Sequence, residues 1–208
     1  MVAIVDYGVG NLFSLKSSLA AIGAEAVVTA DPSVLASADQ IILPGVGAFE
    51  DAARKLRDTG LDTVVKELAA KGKPLMGICL GMQMLFEKGY EYGVHEGLGL
   101  LKGEVVSMQG VVPADYKIPH IGWNGLRFLQ DSPLFRYIKE GDFVYFVHSY
   151  YAADCAEYVL ADTEYGANLT AAVAKGNVLG CQFHPEKSGT VGLSILKAFT
   201  EMKEEAPC

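Results

Sequence analysis

The apolar rhythm of the first ninety residues constrains the fold more than any other feature of this chain. Short β-branched runs, Val2-Ala-Ile-Val5, Ala26-Val-Val28, Gln40-Ile-Ile-Leu43 and Lys73-Pro-Leu-Met-Gly-Ile78, alternate with segments of helical period. A strand that is apolar throughout must be covered on both faces, and an intervening helix lets successive strands run parallel. The pattern therefore predicts an α/β fold, a mostly parallel sheet flanked by helices. After the turn Tyr7-Gly-Val-Gly10, Asn11 is expected to cap a helix with Leu12, Leu15, Leu19 and Ile22 on one face, closed by Gly23. Helical spacing returns between Glu50 and Ala70, most clearly at Leu61, Val64, Val65 and Leu68.

From about residue 98 to 182 the texture becomes β-rich, with runs at Glu104–Met108, Phe143–Val147, Tyr158–Leu160, Thr170–Val173 and Val178–Gln182. A last helix is expected from Gly189 to Lys203, with Val191, Ile195, Phe199 and Met202 aligned. With no repeat, low-complexity segment or long linker, residues 1–208 read as one domain. Half the residues are hydrophobic and 20% are charged, enough for a sizeable core and too apolar for a disordered chain. A formal net charge of −8 argues against nucleic acid or an anionic membrane as partner. No apolar run approaches the roughly 18 residues of a membrane span, and the start lacks the basic region of a secretory signal. The cysteines at 79, 155, 181 and 208 have no regular spacing, so a cytoplasmic protein with free thiols is expected.

One of these cysteines sits where chemistry is possible. Gly77-Ile-Cys-Leu-Gly81 follows an apolar strand and has the layout of a nucleophile elbow, a sharp strand-to-helix turn whose glycines relieve crowding. At the first turn of a helix Cys79 is favoured as a thiolate, and the Leu80 N–H can bind the oxyanion that forms after attack. The bland alternative is a buried cysteine in a tight turn. A partner motif lies far downstream in Gln182-Phe-His-Pro-Glu186, directly after an apolar strand. If that segment is extended, His184 and Glu186 share a face, so the carboxylate can orient the imidazole that takes the thiol proton. A surface histidine–carboxylate pair fits the same residues. Cys181 and His184 have metal-ligand spacing, but no second such pair stands nearby, so no metal and no cofactor is expected.

Together, Lys73-Pro-Leu-Met-Gly-Ile-Cys-Leu-Gly-Met-Gln83 and Gln182-Phe-His-Pro-Glu186 resemble the class I, or triad, glutamine amidotransferases. Asp6-Tyr-Gly-Val-Gly-Asn11, Pro44-Gly-Val-Gly-Ala-Phe49 and His120-Ile-Gly-Trp-Asn124 are similar to the glutaminase subunits of imidazole glycerol phosphate synthase, so the resemblance spans nearly the whole chain. Related glutaminases of pyridoxal phosphate synthase or anthranilate synthase usually carry a Pro-Gly-Gly type segment instead, and a catalytically silent module on the same fold is the alternative outside enzymes. The resemblance implies a flavodoxin-like sheet with an added β region. It also implies hydrolysis of L-glutamine to glutamate and ammonia in histidine biosynthesis, with a (β/α)8-barrel cyclase subunit as heterodimer partner. By motif position, it implies Cys79 as nucleophile, His184 as base and acid, and Glu186 as orienter. It implies Val46, Gly47 and Leu80 for the oxyanion, and Gly45, Gln83, His148, Ser149 and Tyr150 for substrate. His148 is the rival base. The resemblance also implies Tyr7, Asn11, Trp123 and Lys187 at the partner interface, and the glycines flanking Val46 suggest an oxyanion segment that the partner orders.

Overall fold

The four expected N-terminal strands form as β1 (Val2–Val5), β2 (Ala26–Thr29), β3 (Gln40–Leu43) and β4 (Leu75–Ile78). The helices between them are α1 (Leu12–Ala21), α2 (Pro32–Ser37), α3 (Phe49–Asp58) and α4 (Leu61–Ala70), and α5 (Leu80–Gln83) follows the elbow. This computed structural model describes residues 1–203; Cys208, expected as a free thiol, lies outside the described residues.

The second half supplies short strands β5 (Lys88–Gly89), β6 (His95–Glu96), β7 (Glu104–Ser107), β8 (His120–Gly125) and β9 (Arg127–Phe128). Longer ones follow as β10 (Phe143–His148), β11 (Tyr150–Ala153), β12 (Val159–Glu164), β13 (Asn168–Lys175) and β14 (Val178–Cys181), before the closing helix α6 (Gly189–Thr200). The main sheet runs β2-β1-β3-β4-β14-β13-β12-β9. Its first five strands are parallel, in the order of the flavodoxin-like fold. The β-rich half thus extends this sheet through the antiparallel β13, β12 and β9. It also builds a β8–β10 ribbon and a small four-stranded sheet.

Alternation along β1 divides the core into two layers. Ala3 and Val5 pack with Leu35, Leu56 and Val65 of α2, α3 and α4, whereas Val2 and Ile4 pack with Leu15, Leu19, Ile195 and Phe199 of α1 and α6. Five phenylalanines, at 49, 86, 146, 183 and 199, are fully buried, each contributing on the order of 2 kcal/mol of transfer free energy.

Several local expectations are corrected. Asn11 stands at the head of α1 but makes no capping hydrogen bond through its side chain. The far end matches: Gly23 takes φ +76°, and the Gly23 and Ala24 N–H groups donate to Ala20 O and Leu19 O, the double bond of a glycine-closed helix. The Glu50–Ala70 region is two helices, broken at Gly60, which is left-handed at φ +71°. The last helix stops at Thr200, short of Lys203. Among the described residues no helix is long and apolar enough to cross a membrane.

Candidate active site

The elbow, the Pro44–Gly47 segment and His184 follow the carboxyl ends of the parallel strands β4, β3 and β14, the usual ligand edge of such a sheet, and β10 and β11 bring His148, Ser149 and Tyr150 to the same cavity. Cys79 directly follows β4 and has φ +55°, ψ −113°, a conformation that few residues other than glycine adopt. Glycines make the turn possible. A Cβ on Gly77 would lie 2.5 Å from Gly81 O, and one on Gly81 would lie 1.9 Å from Leu43 O. The Cys79 N–H donates to Cys181 O at 2.7 Å, which ties the elbow to β14. Leu80 opens α5, where its N–H has no acceptor within the helix.

His184 lies just beyond β14, and its ring Nδ1 is 2.8 Å from Glu186 Oε1 with both side chains almost wholly buried. The contact is the expected one, but its geometry differs. Pro185–Lys187 is a turn of 3-10 helix, so the carboxylate curls back under the ring instead of alternating along a strand. Pro185 suits this because the turn's first N–H needs no acceptor. The His184 backbone is fixed by its N–H on Tyr145 O at 2.9 Å and by the Ser188 hydroxyl donating to His184 O at 2.6 Å. Burial, the largest single influence, pushes His184 down, yet hydrogen bonds to Cys79 and Glu186 and their negative charge outweigh it and raise the ring to about 9. That balance favours a protonated His184 ring beside Cys79.

His148, the rival base, has both ring nitrogens engaged: Nδ1 on Tyr150 O at 2.9 Å and Nε2 on His120 Nδ1 at 3.2 Å. His120 Nε2 in turn meets Asn124 Oδ1 at 2.8 Å, and the Asn124 amide nitrogen donates to Glu164 O. The chain ends on an acceptor at both ends, so its three contacts need three protons on two rings. Burial, reinforced by the neighbouring histidines, holds His148 down to about 4 despite its bond to Tyr150 O, so neutral rings leave one contact without a proton.

A cavity of about 300 Å3 opens over the thiol, lined by Val46, Gly47, Cys79, Leu80, Gln83, Glu91, His148, Ser149, Tyr150 and His184 among others. Gln83 is present, but its amide nitrogen already donates to Tyr150 O and Gln182 Oε1, both at 3.0 Å, leaving chiefly its oxygen for a ligand. Gly45 is packed against the elbow and is not among the lining residues: a Cβ there would lie 2.5 Å from Gly81 N.

Two residues of the site escaped the sequence reading. Glu91, the one carboxylate lining the cavity, accepts the Phe49 N–H at 2.8 Å. Gln182, fully buried, points its amide nitrogen at Cys79 Sγ, 3.8 Å away. Its place at the head of Gln182-Phe-His-Pro-Glu186 was the available signal; Glu91, in an irregular loop, gave none.

The residues expected at a partner interface divide. Trp123 is 50% exposed on β8, beside Tyr145, and the Lys187 ammonium lies 6.0 Å from the Tyr145 ring. Asn11 is partly exposed, whereas Tyr7 is 3% exposed, its hydroxyl donating to Pro44 O at 2.7 Å. Tyr7 is therefore corrected to an interior position, because the turn after β1 carries its ring in behind Pro44.

A flavodoxin-order sheet that delivers a strained cysteine, a histidine–carboxylate pair and free backbone N–H groups to one edge defines a thiol-dependent acyl-transfer enzyme. The sequence pattern of the class-I glutamine amidotransferase family matches residues 3–202. The imidazole glycerol phosphate synthase subunit HisH of Caldanaerobacter subterraneus subsp. tengcongensis is 50% identical over 97% of this chain and 98% of its own length. That of Bacillus licheniformis is 51% identical over 99% and 98%. The chain belongs to the class-I glutamine amidotransferases and, within them, to the HisH subunits of imidazole glycerol phosphate synthase. Solved structures share the fold. A crystal structure of a glutamine amidotransferase superposes with TM-score 0.75 at 23% identity, covering 97% of this chain and 98% of the other. PurLQS from Thermotoga maritima superposes at 0.71 with 22% identity, covering 96% of each chain.

Proposed function

We propose that this chain hydrolyses L-glutamine to L-glutamate and ammonia and passes the ammonia to a (β/α)8-barrel cyclase, which forms imidazole glycerol phosphate and aminoimidazole carboxamide ribonucleotide in histidine biosynthesis. The observation that carries the chemistry is Cys79 held in the elbow beside a His184 ring hydrogen-bonded to buried Glu186. The Cys79 thiolate attacks the carboxamide carbon, and the Leu80 N–H with a peptide N–H near Val46 or Gly47 holds the oxyanion. His184 gives its proton to the departing ammonia, forming the γ-glutamyl thioester. It then takes a proton from water, whose hydroxide releases glutamate and restores the thiolate. Glu91 and the Gln83 oxygen suit the substrate α-ammonium, while Ser149 and the backbone around Tyr150 line the α-carboxylate end. None of these steps calls on a cofactor or metal.

Support for a docked partner comes from the β8–β10 ribbon. Registry places Ile121 opposite Val147 and Trp123 opposite Tyr145, so one face carries Ile121, Trp123, Tyr145 and Val147, with Ile121 59% and Trp123 50% exposed. Val147 also lines the cavity, so this apolar face runs from the thiol outward, as a surface handing ammonia to a cyclase requires. The exposed Val46 and Gly47 suit a segment that the docked partner orders. The reading is tested by Cys79→Ala in the complex with the cyclase, which is expected to abolish glutamate release; continued release sinks it.

A further inference from the structure

We propose that Tyr7 is a positioning residue for the oxyanion: its phenol fixes the root of the Pro44–Gly47 segment, so that only the peptides around Val46 remain free to turn. This rests on the glutaminase reading above.

The Tyr7 hydroxyl donates to Pro44 O at 2.7 Å from a side chain that is 3% exposed. A buried phenol left without an acceptor costs about 1–3 kcal/mol, so the bond holds the ring and the carbonyl together. Burial first, and the charge at Cys79 second, keep the phenol protonated well above its ordinary range, so it remains a donor throughout turnover. Pro44 O and the Gly45 nitrogen belong to one rigid peptide plane. Holding that oxygen fixes the plane and the Gly45 Cα from which the Val46 amide hangs.

Packing closes the same root from two sides. A Cβ on Gly10 would lie 2.9 Å from Pro44 Cβ, and one on Gly45 would lie 2.5 Å from Gly81 N. Two residues further on the constraint ends: Gly47 has φ +93° with nothing within 4 Å of a built Cβ, and Val46 is 40% exposed. The boundary between fixed and free backbone therefore falls at Gly45, one peptide before the proposed oxyanion donors. Without the hydroxyl the Pro44–Gly45 plane can rock, and the donors beyond it lose their aim.

The test separates oxyanion binding from thiolate reactivity. Iodoacetamide alkylates Cys79 by displacing iodide, a step that builds no oxyanion, whereas glutamine hydrolysis does. In the complex with the cyclase, Tyr7→Phe is expected to lower kcat about tenfold, less than the 10²–10³ of losing a donor outright. KM and the alkylation rate should stay within about twofold of wild type. Tyr7→Met, which drops ring and hydroxyl together, must show the same split. Unchanged kcat in Tyr7→Phe, or alkylation falling in step with kcat, overturns the clamp while leaving the glutaminase reading intact. A wild-type complex that alkylates normally but releases no glutamate overturns the glutaminase reading and the clamp with it.

Discussion

Gly45→Ala puts one methyl group between the oxyanion segment and the elbow, and the structure sets how much must give. The new Cβ would lie 2.5 Å from Gly81 N and 2.9 Å from both Leu80 C and Leu80 Cβ. Favourable carbon contacts begin near 3.5 Å, so the two walls must part by about 1 Å. Neither wall is a flexible side chain tip. One is the end of β3, paired with β1 and β4; the other is the elbow, tied to β14 through Cys79 N–H and Cys181 O. Overpacking of this kind costs about 1–3 kcal/mol of stability. A 1 Å misplacement of catalytic groups costs on the order of 100-fold in rate. The expected result is a folded protein, destabilised by 1–3 kcal/mol in urea melts, with kcat for glutamate release in the complex down about 100-fold and KM little changed. Gly47→Ala is the control: it meets open space but must hold a positive φ, a strain of about 1–2 kcal/mol, so it perturbs the segment without wedging it from the elbow. If Gly45→Ala loses stability as expected yet keeps kcat within about threefold, far short of the misplacement cost, then the spacing of segment and elbow does not set the rate and the geometric argument fails.

Three further outcomes are expected. Gln182→Leu removes the amide aimed at Cys79 Sγ, and with that donor gone the rate of iodoacetamide alkylation at neutral pH should fall by about tenfold. Native His148 is held to about 4 while the unfolded residue titrates near 6.5, so between these values the unfolded chain binds the extra proton and stability falls as pH drops. The loss approaches about 3 kcal/mol below pH 4, and His148→Asn should flatten that part of the acid limb in urea melts. Trp123→Ala leaves a half-exposed position, so the melting temperature should hold within a few degrees, while calorimetric titration with the cyclase weakens by about tenfold or more.

The parallel layer was legible because each of its signals is local. The run Gln40–Leu43 is apolar at positions that pack into both layers, which only a strand covered on both sides needs. Gly77 and Gly81 announced the elbow for the same reason: their crowding lies within five residues of chain and against the strand end beside them. What was not legible is how the β-rich half divides. The runs in β10 and β13 look alike, yet β13 joins the main sheet between β12 and β14 while β10 pairs with β8 in a separate ribbon, because the choice of partner is decided by closure and packing, not by either strand's own pattern.

The same distinction separates the parts of the site. His184 and Glu186 are two residues apart, so their contact was foreseeable even from the wrong backbone geometry; an extended segment and a 3-10 turn both bring the pair into reach. Tyr7 meets Pro44 across 37 residues, and Gln182 meets Cys79 across 103. Neither contact leaves a periodicity or a spacing to detect, since each exists only once β1, β3, β4 and β14 end along one edge. The family resemblance implies an interface role for Tyr7 by motif position. It failed because Gly8 and Gly10, at φ +83° and +118°, bend that turn so that the ring points inward. The residues that set a nucleophile's environment are thus the least readable in sequence, although they are supplied by the same strand ends that made the nucleophile easy to find.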